Sequence, residues 1–300
     1  MKILIATEKP FAPVAVNGIR EIVEGAGYEC AVLEKYTEKS QLLEAVADVN
    51  ALIIRSDKVD AEVMAHAPQL KIVVRAGAGY DNVDLAAATE RGIVVMNTPG
   101  QNANAVAELV VGLLLFTVRN RFDGTSGTEL MGKKIGLVAF GAVAQNVARI
   151  AAGLGMTVAA FSPTGHPEKI KAAGFEAYES LDKLFQECDI VSLHIPSNPQ
   201  TQKSIGYDLV SKMKKKAILV NSARKEVIDE EGLIKAMCER EDLRYVSDLK
   251  MGAHDEAVEK LGGRYVFTPK KMGAQTAEAN INAGLAAARQ IVAFFKDGVT

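Results

Sequence analysis

IGLVAFGAVAQNVARIAAGLGMTVAAF, residues 135–161, is the stretch on which the fold turns. An apolar run, IGLVAF, leads into a turn at Gly141, a helical pattern continues to about Leu154, and a second apolar run, TVAAFS, fills 157–162. Runs without polar alternation mark strands covered on both faces, so this order predicts a βαβ unit of a parallel sheet.

The same alternation extends in both directions. Upstream lie KILIAT (2–7), a helical pattern over 13–26, ECAVLEK (29–35), a helical pattern over 39–47, ALIIRS (51–56), KIVVRAG (71–77) and GIVVMN (92–97). Downstream lie DIVSLHI (189–195), AILVNS (217–222), RYVSDL (244–249) and YVFTP (265–269). A long helical stretch over 102–119 and the polar, glycine-bearing segment RFDGTSGTELMGKK (121–134) mark the change between the two series. A last helix is predicted from Thr276 to about Phe295, long enough to cross back onto the first series. The fold class is therefore α/β, with two doubly wound parallel-sheet domains. At 300 residues the chain can give each its own core.

Charge and composition exclude several functions. Lys plus Arg number 35 against 37 Asp plus Glu, so no global field recruits nucleic acid. No apolar stretch approaches the roughly 20 residues that span a bilayer, and MKILIATEKP reads as a first strand rather than a signal peptide. Cys30, Cys188 and Cys238 are widely spaced and odd in number, which suits reduced packing thiols and a cytoplasmic location. His66 and His254 are isolated and expected at the surface, and no cluster has metal-ligand spacing, so no metal is expected.

The strand–turn–helix at 135–154 is the setting in which G-x-G-x-x-G binds a dinucleotide pyrophosphate. Here the three glycine positions read Ala139, Gly141 and Ala144, so the position where backbone approaches phosphate is kept. Ala139 is expected to hold an ordinary φ, Ala144 to widen the helix–strand spacing, and Ala142 and Val143 to complete the cofactor turn. About 20 residues on, where an acid would bind the ribose 2′-hydroxyl, the chain reads Phe161-Ser162-Pro163-Thr164. NAD is the first choice. NADP is the alternative, since no carboxylate opposes a 2′-phosphate and Ser162, Thr164, His166 and Lys169 could meet one.

With RAGAGYDNVD (75–84), NTPGQNANAVAELVVGLL (97–114), DIVSLHIPSNPQTQKSI (189–205), LVNSARKEVIDEEGL (219–233) and TPKKMGAQT (268–276) in this order, the chain resembles the D-2-hydroxyacid dehydrogenases over essentially its full length. The resemblance implies a Rossmann-type nucleotide-binding domain, 99–276, inserted into a flavodoxin-like substrate domain, 1–98 plus 277–300. Within the family the likeness is to short, lysine-type D-3-phosphoglycerate dehydrogenases, and the end at Thr300 suggests no added regulatory domain. It implies a homodimer and a phosphorylated 2-hydroxy or 2-keto acid as the partner, with 3-phosphohydroxypyruvate, an entry compound of serine synthesis, as the oxidised form.

By the same resemblance, Arg224 binds the substrate carboxylate and carbonyl, Asp248 meets the nicotinamide amide, and Ser222, Ala223, Gly273 and Ala274 line the cofactor. His194 and Pro196 stand on the nicotinamide ribose side, a satisfied buried histidine being the other reading of His194. Arg55, with Lys58, is the candidate for the substrate phosphate; Ser56, the turn Ala76, Gly77, Ala78 and Gly79, and Asn102 belong to the substrate side.

The catalytic pair departs from the family pattern: where relatives carry His and a paired Glu, this chain has Lys270-Lys271 and Gly252-Ala253. Counting back from the Gly-Ala gives Lys271, and counting from Thr-Pro gives Lys270. A lysine carries the proton only if burial or cationic neighbours lower its pKa, so losing the Glu with the His is chemically coherent. The expected reaction takes place in the interdomain cleft, closed against water. The rivals are an NADPH-dependent glyoxylate or hydroxypyruvate reductase and a non-catalytic NAD(H)-binding sensor or corepressor.

Overall fold

The computed structural model describes residues 1–298. The chain divides into two compact units, Met1–Ala103 with Ala274–Thr300, and Asn104–Gly273. The last two positions of the expected segment 277–300 lie outside the described residues.

In the first unit β1 (Lys2–Thr7), β2 (Glu29–Glu34), β3 (Ala51–Ile54), β4 (Ile72–Arg75) and β5 (Val94–Asn97) form a parallel sheet in the order β2-β1-β3-β4-β5. That is the doubly wound flavodoxin-like order. β3 is buried at every position, as a strand between two helical layers must be. The helix Ala277–Asp297 lies against Pro13–Gly25 within this unit, and small residues allow the approach: a Cβ at Gly18 would come within 2.6 Å of Leu285 Cδ2. Thr276 caps the later helix by accepting from the Ala279 amide at 3.1 Å.

The second unit carries β6 (Lys134–Val138), β7 (Thr157–Phe161), β8 (Glu176–Tyr178), β9 (Ile190–Leu193), β10 (Ile218–Asn221), β11 (Arg244–Ser247) and β12 (Tyr265–Phe267). Their order, β12-β11-β10-β9-β6-β7-β8, winds outward both ways from the β6/β9 pair. This is the Rossmann arrangement with β12 added at one edge, and its switch point is the crevice beyond β6 and β9. Both domains thus have the doubly wound α/β fold expected of them.

Two expectations need correction, and one strand was not foreseen. The segment 121–134 is no domain change, because it lies wholly inside the second unit. The strand β8 went unread because its three residues at a sheet edge carry too short a pattern. Cys30 and Cys188 are buried, Cys188 filling space that a Cβ on Gly136 would enter, but Cys238 is exposed and is not a packing residue.

Candidate active-site elements

The turn after β6 is built for a phosphate. Gly141 caps the helix Ala142–Gly153 in extended conformation, no side chain caps that end, and a Cβ added at Gly141 would meet nothing within 4 Å. Gly141 and Ala142 are exposed and Val143 is half-buried. A free helix N-terminus with backbone that can be closely approached suits a pyrophosphate. Ala144 is fully buried on the side facing the sheet.

Ala139 does not hold the ordinary φ expected: its φ is +77°, in the left-handed region. A Cβ there costs about 1–2 kcal/mol. The turn is held in place by bonds on both flanks, Ala139 N to Phe161 O at 2.8 Å and His194 N to Val138 O at 3.0 Å. The hydrogen bonds of β7 and β9 therefore fix a conformation that glycine would have adopted without strain.

Around the same crevice, polar atoms are buried without partners. Ser222 Oγ and His194 Nε2 have no hydrogen-bond partner among the described residues. A buried unpaired polar atom costs free energy, so orphans at the carboxyl ends of β9 and β10 fit a polar ligand such as the ribose or amide of a dinucleotide. Burial lowers His194 to about 4, so the imidazole is neutral at ordinary pH and is no satisfied core histidine. Pro196 is exposed beyond it. Ser162, beyond β7, is half-buried; its Oγ lies 3.3 Å from Thr164 Oγ1 and accepts from His166 N at 3.2 Å.

Arg224 and Lys271 are brought together on one carbonyl. Arg224 Nη1 donates to Ala223 O at 3.1 Å, and Lys271 Nζ donates to the same oxygen at 3.4 Å. The Asn221 side chain shapes this loop, its Nδ2 donating to Arg224 O at 2.9 Å while its Oδ1 accepts from Ala223 N at 3.0 Å. Arg224 is half-buried; Lys270 and Lys271 are exposed, so the partly desolvated amine expected at this position is not observed.

Asp248 is tied to the loop that carries Lys271. It is 1% exposed, and its Oδ1 accepts from Thr268 Oγ1 at 2.9 Å and Met272 N at 2.8 Å, while Oδ2 accepts from Gly273 N at 2.8 Å. Its oxygens clamp both ends of the loop that carries Lys271. Asp248→Ala is accordingly expected to leave three donors unpaired, two of them buried, costing roughly 2–4 kcal/mol, and to lower kcat while NADH affinity holds. Urea unfolding and cofactor titration check this; weakened NADH binding at unchanged stability would assign Asp248 to the nicotinamide instead. Glu230, which the sequence reading passed over, grips the neighbouring loop by accepting from Gly252 N and Ala253 N, each at 2.7 Å. Its signal was faint, an acid in the first turn of the helix Glu230–Glu239.

The first unit gathers the expected substrate-side residues at the carboxyl ends of β3 and β4. Arg55 is half-buried, its guanidinium 5.3 Å from the Phe11 ring centroid, and it donates to Lys9 O and Pro10 O at 3.0 Å and to Asn280 Oδ1 at 2.5 Å. It is thus anchored by neutral acceptors rather than exposed in a surface ion pair. Burial lowers its pKa from the ordinary value. Arg75 Nε donates to Arg55 O at 2.9 Å, and its guanidinium occupies the space above Gly77, where a Cβ would sit 1.6 Å from Nη1. With φ +147° as well, Gly77 is the residue the turn requires. Asn97 Nδ2 donates to Ala78 O and Thr98 N to Gly77 O, tying the 76–79 turn to the NTPG motif. Buried Asp57 was not foreseen; it accepts from Glu8 N, Tyr36 Oη and Arg55 N and so fixes three segments.

Other residues remain apart. Ser56 and Lys58 are exposed, Asn102 is half-buried just before the helix Ala103–Val118, and Ala274 falls in the first unit although Gly273 belongs to the second. His66 is exposed as expected. His254 is half-buried rather than exposed: its Nδ1 is buried without a partner among the described residues and its ring meets Phe267 edge-on at 4.6 Å. Among the described residues no group of three or more His, Cys, Asp or Glu could hold a metal ion, and no helix is long and apolar enough to cross a membrane.

Residues 116–256 match the NAD binding domain of the D-isomer specific 2-hydroxyacid dehydrogenases. A hydroxypyruvate reductase of Thermotoga maritima is 38% identical over 219 residues, 68% of this chain and 70% of that protein. The chain belongs to the D-isomer-specific 2-hydroxyacid dehydrogenase family. A D-3-phosphoglycerate dehydrogenase of Methanocaldococcus jannaschii is 35% identical over 267 residues, covering 84% of this chain but 51% of its own length, so the chain spans about half of that relative. A solved structure of NAD+-bound 3-phosphoglycerate dehydrogenase from Entamoeba histolytica superposes with a TM-score of 0.87 at 45% identity, over 100% of this chain and 96% of that one. In this dehydrogenase the NAD-binding match takes in the Gly141 turn, His194, Arg224 and Asp248, and stops before Lys271. NAD is its cofactor, and the open Gly141 turn, the uncapped helix and the orphaned Ser222 and His194 atoms fit it.

Proposed function

We propose that this dehydrogenase interconverts 3-phosphoglycerate and 3-phosphohydroxypyruvate, and so serves serine synthesis. The observation that carries the reading is the Ala223 carbonyl shared by Arg224 and Lys271, an amine where the family pattern has a histidine, beside the arginine that the pattern keeps. The likeness to the amoebal phosphoglycerate dehydrogenase supports it over the whole chain. A homodimer in the cytoplasm belongs to the same proposal and rests on family likeness.

NAD, when bound, supplies the hydride acceptor for oxidation of the C2 alcohol. Arg224 holds the substrate carboxylate and C2 oxygen with its planar fork, a geometry that a point charge does not reproduce. Lys271 Nζ takes the hydroxyl proton during oxidation and returns it during reduction. Residues 139–143 hold the pyrophosphate, Ser162 the adenosine ribose, and His194, Pro196, Ser222, Ala223, Gly273 and Ala274 the nicotinamide half. Arg55, the turn 76–79 and Asn102 bind the substrate's phosphate and carboxylate; the phosphate role of Arg55 needs only donors beyond those it already uses.

Reduction of hydroxypyruvate is the second reading, favoured by the Thermotoga maritima relative and by Ser162 in place of an acid. Initial rates on 3-phosphohydroxypyruvate, hydroxypyruvate and glyoxylate, each with NADH and NADPH, separate the readings. The expected result is a kcat/KM for the phosphorylated acid at least about tenfold above the others, worth roughly 1.4 kcal/mol of transition-state binding. Preference for hydroxypyruvate with NADPH would establish the reductase. No turnover with intact cofactor binding would point to the sensor.

A further inference from the structure

At the amino edge of the second sheet, away from the strand ends that carry the chemistry, a cavity of ≈ 230 Å3 is lined in part by Asn120, Arg121, Asp123, Arg244, Gly263 and Arg264. Arg244 opens β11 and Arg264 immediately precedes β12, whereas Asp248 follows the other end of β11. At about 3.3 Å per residue, the two ends of β11 are roughly 10 Å apart. The cavity is therefore a separate place on the same unit.

Two of its three arginines are held by neutral groups. Arg244 Nη1 donates to Thr117 O at 2.6 Å, and Arg264 Nη1 donates to Met237 O at 2.7 Å and Arg240 O at 3.3 Å. Each guanidinium carries five N–H donors, more than these bonds use. Among the described residues none of the three forms a salt bridge; the arginine pairs lie elsewhere, at Arg20 and Arg240. Asp123, the one acid of the lining, accepts from Thr125 N at 2.9 Å and Oγ1 at 2.6 Å, and these bonds, with the charge of Arg121, hold its carboxyl below the usual carboxylate range.

The backbone is distorted where it delivers the third guanidinium. Asn120, Arg121 and Phe122 have φ of 50°, 60° and 60°, three successive L-residues in the left-handed region. Arg121 is thereby brought against Gly263, where a Cβ would stand 3.0 Å from its Nη2. Glycine there leaves the guanidinium its place in the wall.

We propose that this cavity is a second anion site, which takes a dianionic phosphate group, either free phosphate or the head of a small phosphate ester. Guanidinium forks bind phosphate oxygens in pairs, and three of them around one hollow match a tetrahedral dianion better than a single carboxylate. The lining has no aromatic ring to stack a base, and the volume lies below the roughly 300–1,000 Å3 of drug-sized pockets. A nucleotide is therefore not the occupant.

The test follows the arginine Nε–Hε resonances of the 15N-labelled, NAD-loaded full chain during titration with inorganic phosphate and, separately, with glycerol 3-phosphate. The same titrations in Arg55→Gln remove the phosphate binding proposed for the substrate. Saturable shifts of Arg121, Arg244 and Arg264 are expected in both backgrounds, weakened about tenfold or more by Arg121→Gln, the loss of a charge-assisted contact, with turnover unaltered. The tighter of the two probes identifies the source of the phosphate group. Shifts that survive Arg121→Gln undiminished, or that vanish in Arg55→Gln, overturn the second site. So does a change of molar mass in Arg121→Gln by light scattering, since the arginines would then belong to a contact between copies.

Discussion

Lys271→Ala should lower kcat by about 10²–10⁴-fold, the usual worth of a positioned proton carrier, while the Kd for NADH stays close to that of the parent. The two lysines of TPKKMG cannot be separated by counting, because one motif gives Lys270 and the other Lys271. The geometry favours Lys271. Met272 N and Gly273 N are fixed on the Asp248 carboxylate, and that grip delivers the preceding residue, Lys271, to the Ala223 carbonyl beside Arg224. Lys270→Ala, one residue farther from the clamp, should retain most of its turnover. Stopped-flow measurement of the hydride step together with cofactor titration distinguishes a lost proton carrier from a lost binding group. The reverse pattern, with Lys270→Ala inactive and Lys271→Ala active, would hand the role to Lys270.

Much of this was legible in the sequence because parallel strands announce themselves. The runs at 51–56, 71–77, 135–140, 217–222 and 244–249 each mark a true strand, and each overshoots its carboxyl end by one or two residues. The overshoot has a physical cause. Residues such as Ala76, Ala139 and Ser222 remain apolar or small as the chain leaves the sheet, at the carboxyl ends of the strands where open α/β sheets bind their ligands. What stayed hidden was conformation and partnership. Nothing in the letter Ala at 139 reveals a φ of +77°, which is imposed by hydrogen bonds from β7 and β9. Asp248 was read as a contact of the nicotinamide amide, and nothing in its sequence neighbourhood shows that it also holds a loop some twenty positions away, a pairing that depends on β11 and β12 being neighbours. Glu230 and Asp57 are of the same kind, carboxylates that hold backbone amides of distant segments and whose sequence neighbourhoods are unremarkable.

Arg224→Ala should reduce kcat/KM for 3-phosphohydroxypyruvate by about 10²–10³-fold, the cost of deleting one donor to a developing oxyanion. Arg224→Lys should recover little of it. A lysine restores the charge but not the fork, and one ammonium cannot meet a carboxylate and a C2 oxygen in the same plane. The loop itself should survive either change, because Asn221 holds it through main-chain atoms, the Arg224 carbonyl and the Ala223 amide, not through the guanidinium. Loss of activity at unchanged stability and NADH affinity is therefore the expected signature. If Arg224→Lys turned over at near the parent rate, charge alone would suffice. The chemistry assigned here would then need only a cationic C2 pocket, and Lys271, which reaches the same carbonyl, would be the first candidate to supply it.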